Sequence, residues 1–240
     1  MKKILFLVSC ILASSAVVGF LFYFGYLRFN YVDVAEFPVQ GLDVSHHQGS
    51  IDWEKVGRGN FRFAFIKATE GGSHVDSRFR FNWVNARKNG LCVGAYHFFT
   101  FKKSGREQAR NFVAAVPRDN ASLPPVVDLE FMGNGGNRLS GKELLVRLSD
   151  FLHVVENHYH KKPILYTTHE FYEYYLAGRF TEYPLWVRDI FRRPRLIDGR
   201  TWSFWQYANR ARVNGIKKYV DLNAFNGSER EFHKLIDQKL

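Results

Sequence analysis

Pro124-Pro125-Val126-Val127-Asp128-Leu129-Glu130-Phe131 is a short apolar run that follows two prolines and breaks its own pattern with two carboxylates. The prolines stop whatever element precedes them. Alternate residues of a strand point to one side, so Asp128 and Glu130 project together, their Cα atoms roughly 7 Å apart. Val126 shares that parity lower down, while Val127, Leu129 and Phe131 face the other way. Two acids placed so closely repel each other. That raises at least one pKa and helps a carboxylic acid keep a proton to donate near neutral pH. Taken alone, the pair reads more readily as an acidic strand end matched by some of the many Arg and Lys residues. The sequence on either side changes that balance.

Upstream, strand patterns occupy Val39–Val44, Phe61–Ala68 and Leu91–Phe99. Between them, Asp76–Asn89 has helical spacing and stops at Gly90, and Ser104–Val116 opens on a capping box, Ser104 with Glu107. Downstream, Leu139–His158 is a long amphipathic helix with its own box, Ser140 and Glu143. Pro163–Thr168 is a fifth strand and His169–Ala177 a short helix closed by Gly178. Three strands then follow without a long helix between them: Pro184–Val187, Thr201–Tyr207 and Tyr219–Leu222. Glu229–Lys239 is a terminal helix. Alternating strands and helices predict an α/β fold with a parallel sheet. A count of eight strands predicts closure into a barrel whose last part has lost its helices.

The chain has 240 residues, enough for one sizeable core, and barrels of this length usually form a single domain. Aromatics make up 17% of it, more than a core alone tends to need, so some are expected to line a cleft. The net charge is +11, and +9 without Lys2 and Lys3, the only charged residues before Arg28. Such a chain is drawn to polyanions: cell-wall polymers, anionic lipid headgroups or nucleic acid. It has no zinc-finger, RNP-type or helix-turn-helix signature, so no nucleic-acid partner is expected. Its two cysteines, Cys10 and Cys92, fall in a hydrophobic segment and a core strand, which argues against a disulfide between them.

Ile4–Leu27 is uncharged and mostly apolar after a positive Met1-Lys2-Lys3 start. As a helix it would run about 36 Å, enough to cross a bilayer core of about 30 Å. Tyr23, Tyr26 and Arg28 resemble interfacial anchors. Residues 1–27 are therefore expected to be a signal anchor, with 28–37 a linker and 38–240 the folded domain. That places a single-pass protein in the cytoplasmic membrane with its domain outside the cytoplasm, periplasmic or extracellular. Secretion after signal cleavage is the alternative. Lipidation at Cys10, within Leu7-Val8-Ser9-Cys10, is a remoter one.

In a barrel of this kind, side chains at the C-terminal ends of the strands converge on one face. Asp43 falls at the end of strand one, Asp128 and Glu130 at the end of strand four, and Asp221 at the end of the last. Four acids are thus expected around one cleft, with Tyr96, His97, Tyr166, Trp186, Trp205 and Gln206 beside them to hold substrate. Acids flanked by aromatic faces suit a carbohydrate, and paired acids across a groove suit glycosidic hydrolysis.

These residues resemble glycoside hydrolase family 25, the Chalaropsis-type lysozymes or N-acetylmuramidases. The likeness rests on Gly41-Leu42-Asp43-Val44-Ser45, Phe65-Ile66-Lys67-Ala68-Thr69-Glu70-Gly71, Gly94-Ala95-Tyr96-His97-Phe98, Val127-Asp128-Leu129-Glu130, Pro184-Leu185-Trp186-Val187, Trp205-Gln206-Tyr207 and Val220-Asp221-Leu222-Asn223. It implies a flattened TIM-like (β/α)5(β)3 barrel that cleaves the β-1,4 bond between N-acetylmuramic acid and N-acetylglucosamine. It also implies no metal, no cofactor and peptidoglycan strands as the partner; a monomer is expected. Carried over, Glu130 is the general acid, Asp128 assists the substrate's acetamido group, and Asp43 and Asp221 hold substrate and tune Glu130. One departure stands out: Arg188-Asp189 follow Val187, where the family often has a small residue and an aromatic.

Other clusters read more plainly. His46-His47 are expected to pack in a loop rather than bind metal. Trp53 and Trp83 are expected in the core, and Asp52 and Glu54 at a helix start. The competing functions are a non-catalytic peptidoglycan-binding barrel and, more remotely, a metal-dependent hydrolase.

Overall fold

Nine strands form one sheet in the computed structural model, which describes residues 1–135 and 138–238. They are β1 (Gln40–Val44), β2 (Phe61–Glu70), β3 (His74–Val75), β4 (Cys92–Phe98), β5 (Val126–Leu129), β6 (Ile164–Thr168), β7 (Leu185–Arg188), β8 (Phe204–Ala211) and β9 (Val220–Phe225). Strand β3 is a two-residue return against the end of β2. The other eight close on themselves, because β1 pairs with both β2 and β9. All neighbours from β1 round to β8 run parallel, whereas β9 is antiparallel to both of its neighbours. The expected barrel is therefore present, with its last strand reversed. Strands β8 and β9 are joined without a helix, and a short connection of that kind can only link antiparallel strands.

The helices are α1 (Lys2–Tyr23), α2 (Trp53–Gly57), α3 (Phe79–Lys88), α4 (Gly105–Ala115), α5 (Gly141–Tyr159), α6 (His169–Phe171) and α7 (Glu229–Ile236). Their starts follow the capping chemistry. Ser104 and Ser140 accept from the backbone N–H of Glu107 and Glu143, and Ser228 with Glu231 completes a capping box. Asp52 likewise caps α2, and Trp53 and Trp83 are buried, as expected. The short helix expected at 169–177 is one α turn that widens into a π turn over Tyr172–Leu176. Lys239, expected at the end of the terminal helix, lies outside the described residues.

The period-two pattern of each strand sorts two layers. Val39, Phe63, Phe65, Val126, Ile164, Tyr166, Trp186, Phe204 and Phe225 fill the barrel, where Phe232 and Ile236 of α7 close its lower end. Leu42, Val44, Ala64, Ile66, Val127, Leu129, Leu165, Val187, Leu222 and Ala224 face outward, into the layer shared with the helices. Val126, Val127 and Leu129 thus stand on the sides their parity assigns. Two inward positions are glycines, because the phenylalanines opposite need the space. A Cβ on Gly41 would sit 2.5 Å from the Phe63 ring, and one on Gly94 2.6 Å from the Phe65 ring.

No residue of α1 is buried, and the helix is long and apolar enough to cross a membrane by length and composition. Its C-terminal end is held by the barrel. Arg210 donates to the Tyr23 carbonyl, and Arg212 Nε donates to the Phe24 carbonyl at 2.8 Å. Their guanidinium groups lie over the rings of Tyr23 and Tyr26, 4.6 and 4.5 Å from the centroids. Residues 28–37, expected as a linker, also lie against the domain. Asn30 donates to the Tyr207 carbonyl, Phe29 meets Phe191, and Phe37 is buried beside Trp202 and Trp205. Cys10 and Cys92 are unpaired.

Candidate active site

The upper end of the barrel interior opens into a cleft of about 510 Å³, whose lining includes Asp43, Asp128, Glu130 and Asp221. Each acid arrives by a different route. Asp43 is on β1 at the same inward parity as Val39 and Gly41, and Asp128 follows Val126 on β5. Glu130 stands one residue past the end of β5, where the chain leaves the sheet. Asp221 is near the start of β9, not the end as expected. It reaches the mouth because β9 is reversed, which sets it directly across from Asp43.

Beneath the acids lies a tier of hydrogen-bonded side chains. Gln206 Nε2 and Asn223 Nδ2 both donate to Asp43 Oδ2 at 2.8 Å. The Tyr166 hydroxyl donates to Gln206 Oε1 at 3.0 Å, and Trp186 Nε1 to Asn223 Oδ1 at 2.9 Å. Trp186 in turn stacks on Phe65, with centroids 4.5 Å apart. Tyr166, Trp186 and Gln206 therefore form the floor, and Tyr96 also lines the cleft.

His97 and Trp205, expected beside them, face the opposite way. Adjacent strand residues cannot share a side, and Tyr96 and Gln206 hold the inward positions. His97 is wholly buried under α4 and α5, its Nδ1 2.7 Å from Thr69 Oγ1 and its Nε2 3.2 Å from Gln108 Oε1. Burial holds its pKa down to about 4, so the ring is neutral. Trp205 packs among Phe37, Trp202 and Tyr207 and donates to the Asp189 carbonyl.

Several lining residues were not anticipated. Lys67 follows Phe63 and Phe65 in the inward series of β2. A bulge between Lys67 and Thr69 then shifts the parity, so Glu70 also turns into the cleft. Lys67 Nζ meets Glu70 Oε2 at 2.7 Å and lies over the Phe98 ring. The inward alternation marks Lys67 in the sequence, but nothing there marks the bulge. His47, expected as loop packing, lines the cleft, while His46 Nδ1 sits 2.7 Å from Asp76 Oδ2. Arg188 lines the cleft as well, and Asp189 does not.

The cleft thus concentrates carboxyl groups, with Asp43 and Asp128 buried and Glu130 and Asp221 partly so. Burial pushes the Asp43 carboxyl up to about 6, against the pull of its hydrogen bonds from Asn223 and Gln206. Burial, then the charge of Glu130, drives Asp128 well above the usual carboxylate range. Burial, then Asp43, does the same to Asp221. Glu130 is raised by burial, with Arg188 and Lys67 opposing. Asp128 Oδ1 is buried and has no hydrogen-bond partner among the described residues. Of two carboxyls held this close, one keeps a proton that can pass to one atom of a ligand while the other orients a second.

The model of glycosyl hydrolases family 25 matches residues 42–216. Lysozyme M1 of Streptomyces globisporus is 38% identical over 201 residues, covering 79% of this chain and 68% of its own. The Escherichia coli (strain K12) protein YegX is 44% identical over 208 residues, covering 85% and 75%. Among solved structures, a family 25 glycosyl hydrolase from Bacillus anthracis superposes with a TM-score of 0.83 at 42% identity, covering 88% of this chain and 98% of that one.

Proposed function

Because the chain belongs to glycosyl hydrolase family 25, and so is a peptidoglycan-degrading glycoside hydrolase of the muramidase type, we propose that Glu130 is its general acid. The bond cut is the β-1,4 link between N-acetylmuramic acid and N-acetylglucosamine. Glu130 gives its proton to the departing glycosidic oxygen as the bond from that oxygen to C1 breaks. The 2-acetamido carbonyl oxygen of the same sugar closes on C1, and Asp128 accepts the acetamido N–H. Water then attacks C1, reopens the ring and gives its proton to Glu130, so configuration is retained. Substrate-assisted glycosidases of this type need no enzyme nucleophile. Asp43 and Asp221 hold the sugar from the facing wall, over a floor of Tyr166, Trp186 and Gln206, with Tyr96 at the side.

The observation that carries this reading is the pairing at the end of β5. Glu130 has a raised pKa, and Asp128 beside it keeps an unpartnered buried oxygen. Glu130→Gln is expected to lower reducing-end release from purified peptidoglycan by roughly 10²–10⁴-fold while leaving binding intact. Equal binding without release by both proteins would favour a glycan-binding barrel. Proton NMR of the first-formed anomer tests the route, which fails if the inverted anomer comes first.

For the cellular setting, α1 is the feature that supports a signal anchor, with the barrel of residues 38–240 outside the cytoplasm. Mass measurement of the mature protein separates this from secretion, which would remove the helix.

A further inference from the structure

The cleft holds two cations, and they are placed very differently. Lys67 is committed to Glu70 and covered by Phe98. Arg188 has no carboxylate oxygen within 4.0 Å and no side-chain hydrogen bond among the described residues, although acids ring the cleft. It stands where the cleft meets a second cavity of about 570 Å³ that shares Glu130, Met132 and Arg188 with it.

The other acids of that second cavity are already engaged. Asp189 Oδ2 lies 3.0 Å from His169 Nε2, and its Oδ1 accepts from the backbone of Phe191 and Arg192. Glu170 pairs with Arg138 at 2.6 Å. Asp189 therefore shapes the loop and does not pair with Arg188, which is half-buried and lines both cavities. Met132 and Phe191, both largely exposed, add apolar surface. An unpaired guanidinium beside apolar walls suits a carboxylate on a short aliphatic arm, since the planar fork matches a carboxylate with two hydrogen bonds.

Of the two sugars in the polymer, muramic acid alone carries such an arm, a 3-O-lactyl group ending in a carboxyl that is either free or joined to a peptide. Resting on the muramidase reading above, we propose that the second cavity receives this arm and that Arg188 binds a carboxylate on it. Arg188 is then a specificity residue, which the reacting bond itself does not need. The carboxylate comes either from the free lactyl group or from an acidic residue of the attached peptide.

Three soluble substrates separate the sources: peptide-free glycan oligomers, oligomers carrying a peptide with a free acidic residue, and the same with that residue amidated. Arg188→Gln is expected to lose roughly ten- to a hundredfold in kcat/KM, mostly through KM, on the substrate bearing the bound carboxylate. The other substrates should keep their rates apart from any change common to all three. Loss confined to the peptide-free glycan identifies the lactyl carboxylate, and loss confined to the free acidic peptide identifies the peptide. Arg188→Lys, which keeps the charge without the fork, should fall between, and matched thermal midpoints confirm that both variants fold. Equal loss on all three substrates overturns the proposal and leaves Arg188 as a modulator of the acids. If the parent enzyme cut none of them, the muramidase reading would fall, and this inference with it.

Discussion

Asp43 Oδ2 takes two hydrogen bonds, from Gln206 and Asn223, yet burial still pushes its carboxyl up to about 6. The folded state therefore holds a proton that the unfolded chain releases near pH 4, and stability falls as pH rises from about 4 to 6. Asp43→Asn removes this ionisation while its amide oxygen still accepts both hydrogen bonds. The variant is expected to be more stable than the parent at pH 7, by about 3 kcal/mol at most, and to lose the advantage near pH 4. Urea denaturation at the two pH values checks this, and an advantage that does not depend on pH would contradict it. Glu130 responds to charge in the same way. Arg188 opposes the rise of its pKa, so Arg188→Gln should move the basic limb of the kcat/KM–pH profile to higher pH. The inward placement of Asp43 and Asp128 was legible, because alternation fixes the side once a strand is assigned. The same rule tells against His97 and Trp205. They are expected in the cleft from their place at the ends of strands, although Tyr96 and Gln206 next to them take the inward side.

What alternation does not reveal is where a strand breaks step or reverses. Glu70 is one such case, turned into the cleft by the bulge before Thr69. Asp221 is another: its place at the mouth was expected, but at the end of a parallel strand rather than near the start of a reversed one. The bulge depends on hydrogen-bond register between distant segments, which no local pattern encodes, whereas the reversal follows from the short helix-free connection between β8 and β9. Packing inside the ring has a clearer mark in the sequence. Gly41 and Gly94 lie at inward positions where a side chain would strike Phe63 and Phe65. Phe65 is fully buried against Trp186 and cannot move aside cheaply. Gly94→Ala is therefore expected to cost roughly 1–3 kcal/mol in a denaturation experiment, the usual range for overfilling a packed core. Because Phe65 supports Trp186 beneath the acids, activity should fall along with stability. An unchanged midpoint would mean that the barrel interior is looser than these contacts indicate.

Where α1 joins the domain also fixes where the cleft faces. Strand β8 runs upward to the mouth, and near its end Asn209 lines the cleft while Arg210, the next residue, holds the last turn of α1. Helix and active-site mouth are thus on the same side of the barrel. The junction has a clear physical basis. The carbonyls at a helix C-terminus lack intrahelical partners and carry partial negative charge. Arg210 and Arg212 donate to two carbonyls there and cover Tyr23 and Tyr26 with their guanidinium faces. Each cation–π contact contributes about 0.5–1 kcal/mol at an exposed site, with a similar amount from the helix end. Removing both arginines should therefore release the helix without unfolding the barrel. In detergent-solubilised full-length protein, Arg210→Ala with Arg212→Ala is expected to speed proteolytic cleavage between residues 24 and 36 several-fold, roughly as these energies imply. Hydrolysis of soluble glycan should stay at the parent rate, since neither arginine lines the cleft. If cleavage there were no faster than in the parent, the contacts of residues 28–37, with Phe37 buried at their end, would hold the junction without the arginines.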